Sequence, residues 1–196
     1  MKTKLLNLTI LLIFIAVFSC TQKDPSIRID YELPSASTAF EGKKVSLKIE
    51  DKREDKKILD PAAFRKFGKF NGKFSFAHKN KNQLLGIYEA PALFKEAVRT
   101  RLTKQGLTFV DPAKGVPELL IVIKEFSLQY KKGWKVKISF EAHLNKDGKF
   151  LSKESIGQTA EARMFFKSHG VRLLENSFSA IINKLNIERL FTKSNI

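Results

Sequence analysis

Few residues in this chain pair a reactive side chain with the surroundings that chemistry needs, and the clearest is a cysteine. Cys20 is the only one in the sequence, and it follows an apolar run from Leu5 to Phe18 broken only by Asn7 and Thr9. With Lys2 and Lys4 ahead of the run, this is the layout of a secretory leader, and the run falls short of the about 20 apolar residues of a membrane span. A lone thiol at that position is suited to acylation of its sulfur, and no disulfide can staple the exported chain. His78, His143 and His169 show no close pairing, and neither a His-Glu-x-x-His nor a paired-cysteine spacing exists, so no metal and no cofactor are expected. Gly68 to Gly72 leaves three intervening residues and Phe74 replaces the Ser or Thr of a phosphate loop. No Gly-x-Ser-x-Gly elbow is present. Glu141, Glu154 and Glu161 lie among lysines, which makes cross-strand ion pairs their expected role. The chain reads as a non-enzyme.

Its charge points to a class of partner. There are 36 Lys and Arg against 20 Asp and Glu, a net charge of +16. In a cytosolic protein this would suggest nucleic acid. For an exported one the polyanions are phospholipid headgroups, lipopolysaccharide and cell-wall polymers, and no nucleic acid is expected. Two candidate surfaces follow. Between Phe64 and Lys81, Lys66, Lys69, Lys73, Lys79 and Lys81 interleave with aromatics including Phe70 and Phe74, a pattern suited to an anionic surface with an apolar layer beneath. The competing account packs those Phe in the core and leaves the lysines solvated. A second candidate is an open sheet face carrying Lys135, Lys137 and His143, with Arg163 beside it.

The elements that must position these residues are read from periodicity. Residues 20–43 hold Pro25 and Leu33-Pro34-Ser35 and read as a lipidated N-terminus and flexible tether, although Ile27, Ile29 and Tyr31 alternate as a short edge strand would. Val45, Leu47 and Ile49 alternate with polar residues, which predicts a strand from Lys44. Residues 54–89 are read as a hairpin or loop. Leu93, Phe94, Ala97, Val98 and Leu102 form a helical stripe that Gly106 ends. Leu107 to Val110 and Glu118 to Tyr130 follow as strands, and Trp134 to Leu144 alternates throughout. Asp147-Gly148 turns the chain into a return strand, Phe150 to about Phe165, with Met164 inward. Ser168 can cap a last helix whose stripe is Val171, Leu174, Phe178, Ile181, Ile182 and Leu185. The expected fold is α+β in two layers: a twisted mixed or antiparallel sheet with two helices on one face, ordered β-α-β-β-β-β-α. Residues 1–19 are read as a signal peptide, 44–190 as a single domain and 191–196 as a tail.

Val17-Phe18-Ser19-Cys20 resembles a bacterial lipobox, in which the cysteine receives a diacylglyceryl group before cleavage. The strand ending in Asp51-Lys52-Arg53, Leu85-Gly86-Ile87 ahead of a helix, the Leu102-x-x-x-Gly106 helix end, and the meander and closing helix are similar to those of uncharacterised YajG-like lipoproteins. Auxiliary lipoproteins of ABC-type lipid transporters have a comparable layout. The resemblance implies a lipid-anchored envelope domain, most simply at the outer membrane, without established activity. Three roles fit it: a binding or scaffold module, a transporter's accessory subunit, or a surface lipoprotein for anionic polymers or host ligands. The implied partners are the membrane, through the lipid, and an envelope protein or an anionic lipid or polymer.

Overall fold

The computed structural model describes residues 25–79 and 83–194. Cys20, Lys81 and the leader lie outside the described residues. Five strands form the larger sheet, in the order β5-β2-β6-β7-β8: β2 (Lys44–Asp51), β5 (Thr108–Phe109), β6 (Glu118–Tyr130), β7 (Trp134–Lys146) and β8 (Lys149–Ala162). β2 runs parallel to both β5 and β6, whereas β6, β7 and β8 form an antiparallel meander. Alternation in β7 is complete, with Trp134, Val136, Ile138, Phe140, Ala142 and Leu144 all buried on one face. That face carries α2 (Ala90–Lys104) and α3 (Lys167–Lys184). Phe94 of α2 meets Phe126, Phe140 and Phe178 edge-on at 5.4, 5.8 and 5.2 Å between ring centroids. The expected two-layer α+β architecture is present.

A second sheet extends it. β1 (Ile27–Tyr31) pairs in parallel with β3 (Phe74–His78), which pairs antiparallel with β4 (Gln83–Tyr88). The segment read as tether therefore enters the fold, and Ile27, Ile29 and Tyr31 are buried. The Tyr31 hydroxyl donates to Asn183 of α3 at 2.7 Å, and its ring lies 5.6 Å from Phe76. The period-two signal at 27–31 is a strand signal whose partner lies far along the chain, beyond the reach of local reading. Within the 54–89 segment, read as a hairpin or loop, β3 and β4 pair antiparallel as the hairpin alternative expects, and α1 (Pro61–Phe67) precedes them. Asp60 starts α1: its side chain accepts from the amide of Ala63 at 2.6 Å, and Pro61 takes the first helical position.

At the other terminus α4 (Ile187–Lys193) replaces the expected tail and buries Phe191. α3 begins at Lys167 after Phe166, so Ser168 lies inside its first turn and does not cap it. β8 stops at Ala162, and Met164 faces solvent instead of the core. No helix among the described residues is long and apolar enough to cross a membrane.

Candidate functional site

Two depressions flank α1, and the residues beneath them explain their shape. Arg53, almost fully buried, is held by Asp51 through two hydrogen bonds of 2.9 and 2.8 Å and donates to the carbonyls of Lys56 and Phe126. The Arg53 guanidinium holds the Asp51 carboxyl well below the usual carboxylate range, with Lys56 adding to the effect. This pair stiffens the chain where it leaves β2. Ile58 and Leu59 then press inward, with a parallel bridge from Leu59 to Leu128. A cleft of about 840 Å³ opens between this segment, α1, the 70–72 turn and the start of α2. Ile58, Leu59, Phe64, Phe70 and Pro91 supply an apolar lining, and the charged lining includes Lys57, Arg65, Glu89 and Lys56, the last paired with Asp51 at 3.1 Å. Its volume lies within the range of small-molecule sites, about 300–1,000 Å³.

The second depression, of about 1080 Å³, lies at the end of the sheet formed by the β6–β7 turn. Lys131, Lys132 and Arg163 line it together with Arg65, Tyr130 and Trp134. Gly133 is required in this turn by close approach, since a Cβ there would lie 2.5 Å from the Ala162 carbonyl oxygen. Trp134 is buried beneath, edge-on to Phe67 at 5.8 Å and 4.8 Å from Tyr130. Gly170 admits the indole to the start of α3: a Cβ at that position would come within 2.6 Å of the ring. The indole Nε1 donates to the Phe166 carbonyl at 2.9 Å. The Lys66 and Lys167 ammonium groups each sit 4.8 Å from a ring centroid, over Tyr130 and Phe67.

The predicted surfaces are redistributed by this packing. Phe74 is fully buried against Phe126 and cannot touch a membrane, a correction that follows from its inward register on β3. Phe70 is half-buried against Phe74 and faces the cleft. Lys66, Lys69 and Lys73 are exposed, but Lys79 lies at the opposite end of β3 in an ion pair with Glu32 at 2.8 Å. The four described lysines thus form no single patch. On the solvent face of the sheet, Lys135 pairs with Glu161 at 2.7 Å and Lys137 with Glu125 at 3.4 Å. His143 and Lys153 both reach Glu141, at 3.1 and 3.0 Å, and Lys153 foremost holds that carboxyl below its usual range. Cross-strand pairing occupies this face. Arg163 belongs instead to the β6–β7 end. Sequence reading missed Ile58 and Leu59 in the cleft and the exposed Met164, Phe165 and Phe166. For the latter, the signal was Phe165-Phe166 breaking alternation between Arg163 and Lys167.

No protein-family model and no curated protein matches this chain. Among solved structures, it is similar to a Xanthomonas campestris protein of the family model DUF330. The identity is 11%, with 85% of this chain and 93% of that one covered, at a TM-score of 0.55. The likeness is one of fold. An uncharacterised protein overlaps at 12% identity, over 82% of this chain and 99% of the other, with a TM-score of 0.45. The Neisseria meningitidis lipoprotein GNA1162 overlaps at 11% identity, over 72% and 99%, with a TM-score of 0.30.

Proposed function

We propose that this chain is a lipid-anchored bacterial envelope protein, held to the outer membrane through Cys20, that works without catalysis as a binding or scaffold module. The observation that carries the binding role is the cleft beside α1. Its apolar lining with Lys57 and Arg65 beside it suits a single-chain amphiphile with an anionic head: the chain against Phe64 and Phe70, the head beside Lys57 or Arg65. The lipobox-like tetrad and the YajG-like motifs support the anchor. A lipid-shaped cleft also favours the second reading, an accessory subunit that handles lipid beside an ABC-type envelope transporter.

Lysophosphatidylglycerol, titrated below its micelle concentration against the full chain, tests the cleft. Phe64→Asp places a charge on an exposed lining position, and at least a tenfold loss of affinity is expected. Equal binding by parent and variant, or none by the parent, would remove the cleft from consideration. The anchor is tested separately. Cys20→Ala should abolish incorporation of a palmitate analogue and release the protein from membranes.

A further inference from the structure

The two most exposed large apolar side chains of the described residues, Phe165 and Phe166, lie in one short loop, with Met164 beside them. Met164, Phe165 and Phe166 join β8 to α3 with 49%, 62% and 73% of their surfaces open to solvent. Solvent exposure of two adjacent Phe requires an explanation, because each leaves a large apolar area in water. The backbone beneath them is fixed. The Phe166 carbonyl accepts from the buried Trp134 indole at 2.9 Å and from the His169 amide at 3.1 Å, and the Met164 amide donates to Ala162 at 2.9 Å. An anchored backbone with outward side chains is a preformed wedge.

Charge says what the wedge enters. Arg163 and Lys167 flank it in sequence, Lys131 and Lys132 stand in the neighbouring turn, and Arg65 and Lys66 come from the end of α1. The nearby carboxylates are engaged: Glu161 is paired with Lys135, and Asp60 caps α1 while also accepting from the Tyr130 amide at 3.3 Å. Lys66 and Lys167 lie over the Tyr130 and Phe67 rings, and Lys167 also donates to the Phe67 carbonyl at 3.3 Å, which leaves Arg163, Lys131, Lys132 and Arg65 lining the neighbouring depression. Apolar side chains beside such a group of bases match the interface of an anionic bilayer, where rings reach the acyl boundary and bases meet phosphates. We infer that the Met164–Phe166 loop is a membrane wedge that inserts into an anionic phospholipid surface and orients the domain on it. The orientation rests in part on the proposed anchor: Cys20 precedes Ile27 by seven residues, a reach of at most about 25 Å. β1 begins beside Lys73, shortly after α1 in the chain.

The experiment uses the full chain reconstituted on vesicles, carrying either Phe165→Trp or, as a control, Phe150→Trp. Phe150 is equally exposed but lies near the start of β8, about 40 Å away at the opposite end of that 14-residue strand. Vesicles are phosphatidylglycerol with phosphatidylcholine, or phosphatidylcholine alone, with a nitroxide quencher in the acyl chains. Emission from buried Trp134 reports that each variant is folded. Quenching is expected for the indole at 165 and not at 150, stronger on the anionic vesicles and reduced by salt. Lys131→Gln and Lys132→Gln should each lower the ratio of inserted to free loop about fivefold. A chain that floats with the vesicles but shows equal quenching at both positions overturns the wedge and leaves the anchor intact. Quenching at 165 that ignores lipid charge overturns the anionic surface. An indole at 165 that becomes shielded with rising protein concentration and no vesicles assigns the loop to a second copy and overturns the inference. A chain that neither floats nor is quenched defeats both readings.

Discussion

Asp51 and Arg53, read in the sequence as the close of a strand, form a structural clasp. Both guanidinium hydrogen bonds to the carboxylate are partly buried, and Nη1 of Arg53 donates to the backbone carbonyls of Lys56 and Phe126. Because the carboxyl is depressed from its ordinary 3.8 in the folded protein, its contribution to stability is fully present above that value. It is lost progressively as pH falls below about 4. Asp51→Asn should therefore cost about 1–3 kcal/mol near neutrality and flatten the acid limb of the stability profile. Urea unfolding between pH 7 and pH 2.5 checks this, and a variant that keeps the parent's acid limb would show that other carboxylates govern it. The lysines carry a different lesson. A basic residue is legible in sequence, but whether it is free is not. Lys135 and Lys137 were read as a binding face, yet they meet Glu161 and Glu125, which lie on the neighbouring strands.

Among the elements, those with strong local periodicity were legible: β2, α2, β6, β7 and α3 fall within a residue or two of expectation. The elements left open or missed are those that local period does not settle. β1 is short and pairs in parallel with β3, whose own Phe residues looked equally suited to a surface. α1 is a single capped helix of seven residues, too short for a period to emerge. The wedge was hidden because alternation in β8 extends naturally to Met164, and only tertiary anchoring by Trp134 shows where the strand ends. α3 has the most to hold together, since it touches β1, β7 and β8. Phe178 lies in its middle against Tyr31, Phe94 and Phe126. Phe178→Ala should cost about 3–5 kcal/mol, a large share of the roughly 5–15 kcal/mol of a domain. Thermal unfolding within a degree or two of the parent would contradict that packing.

At the scale of the whole molecule, the buried residues of both sheets join in one core, so the folded unit begins ahead of Ile27 and extends through α4. Limited trypsin digestion should accordingly leave a resistant fragment that includes Arg28, located by mass spectrometry, instead of one trimmed to Lys44. Rapid cleavage after Arg28 in the folded protein would place β1 outside the cooperative unit. The bond from Tyr31 to Asn183 spans 152 residues of chain. A polypeptide is made from its N-terminus, and β1 emerges long before α3 exists to receive it. Until then Ile27, Ile29 and Tyr31 have no complete site, and long-range parallel pairing is intrinsically slow. The topology thus works as a timer. It leaves the first strand without its complete site until α3 has been delivered, so that closure of this part of the fold waits on a residue 152 positions downstream of Tyr31.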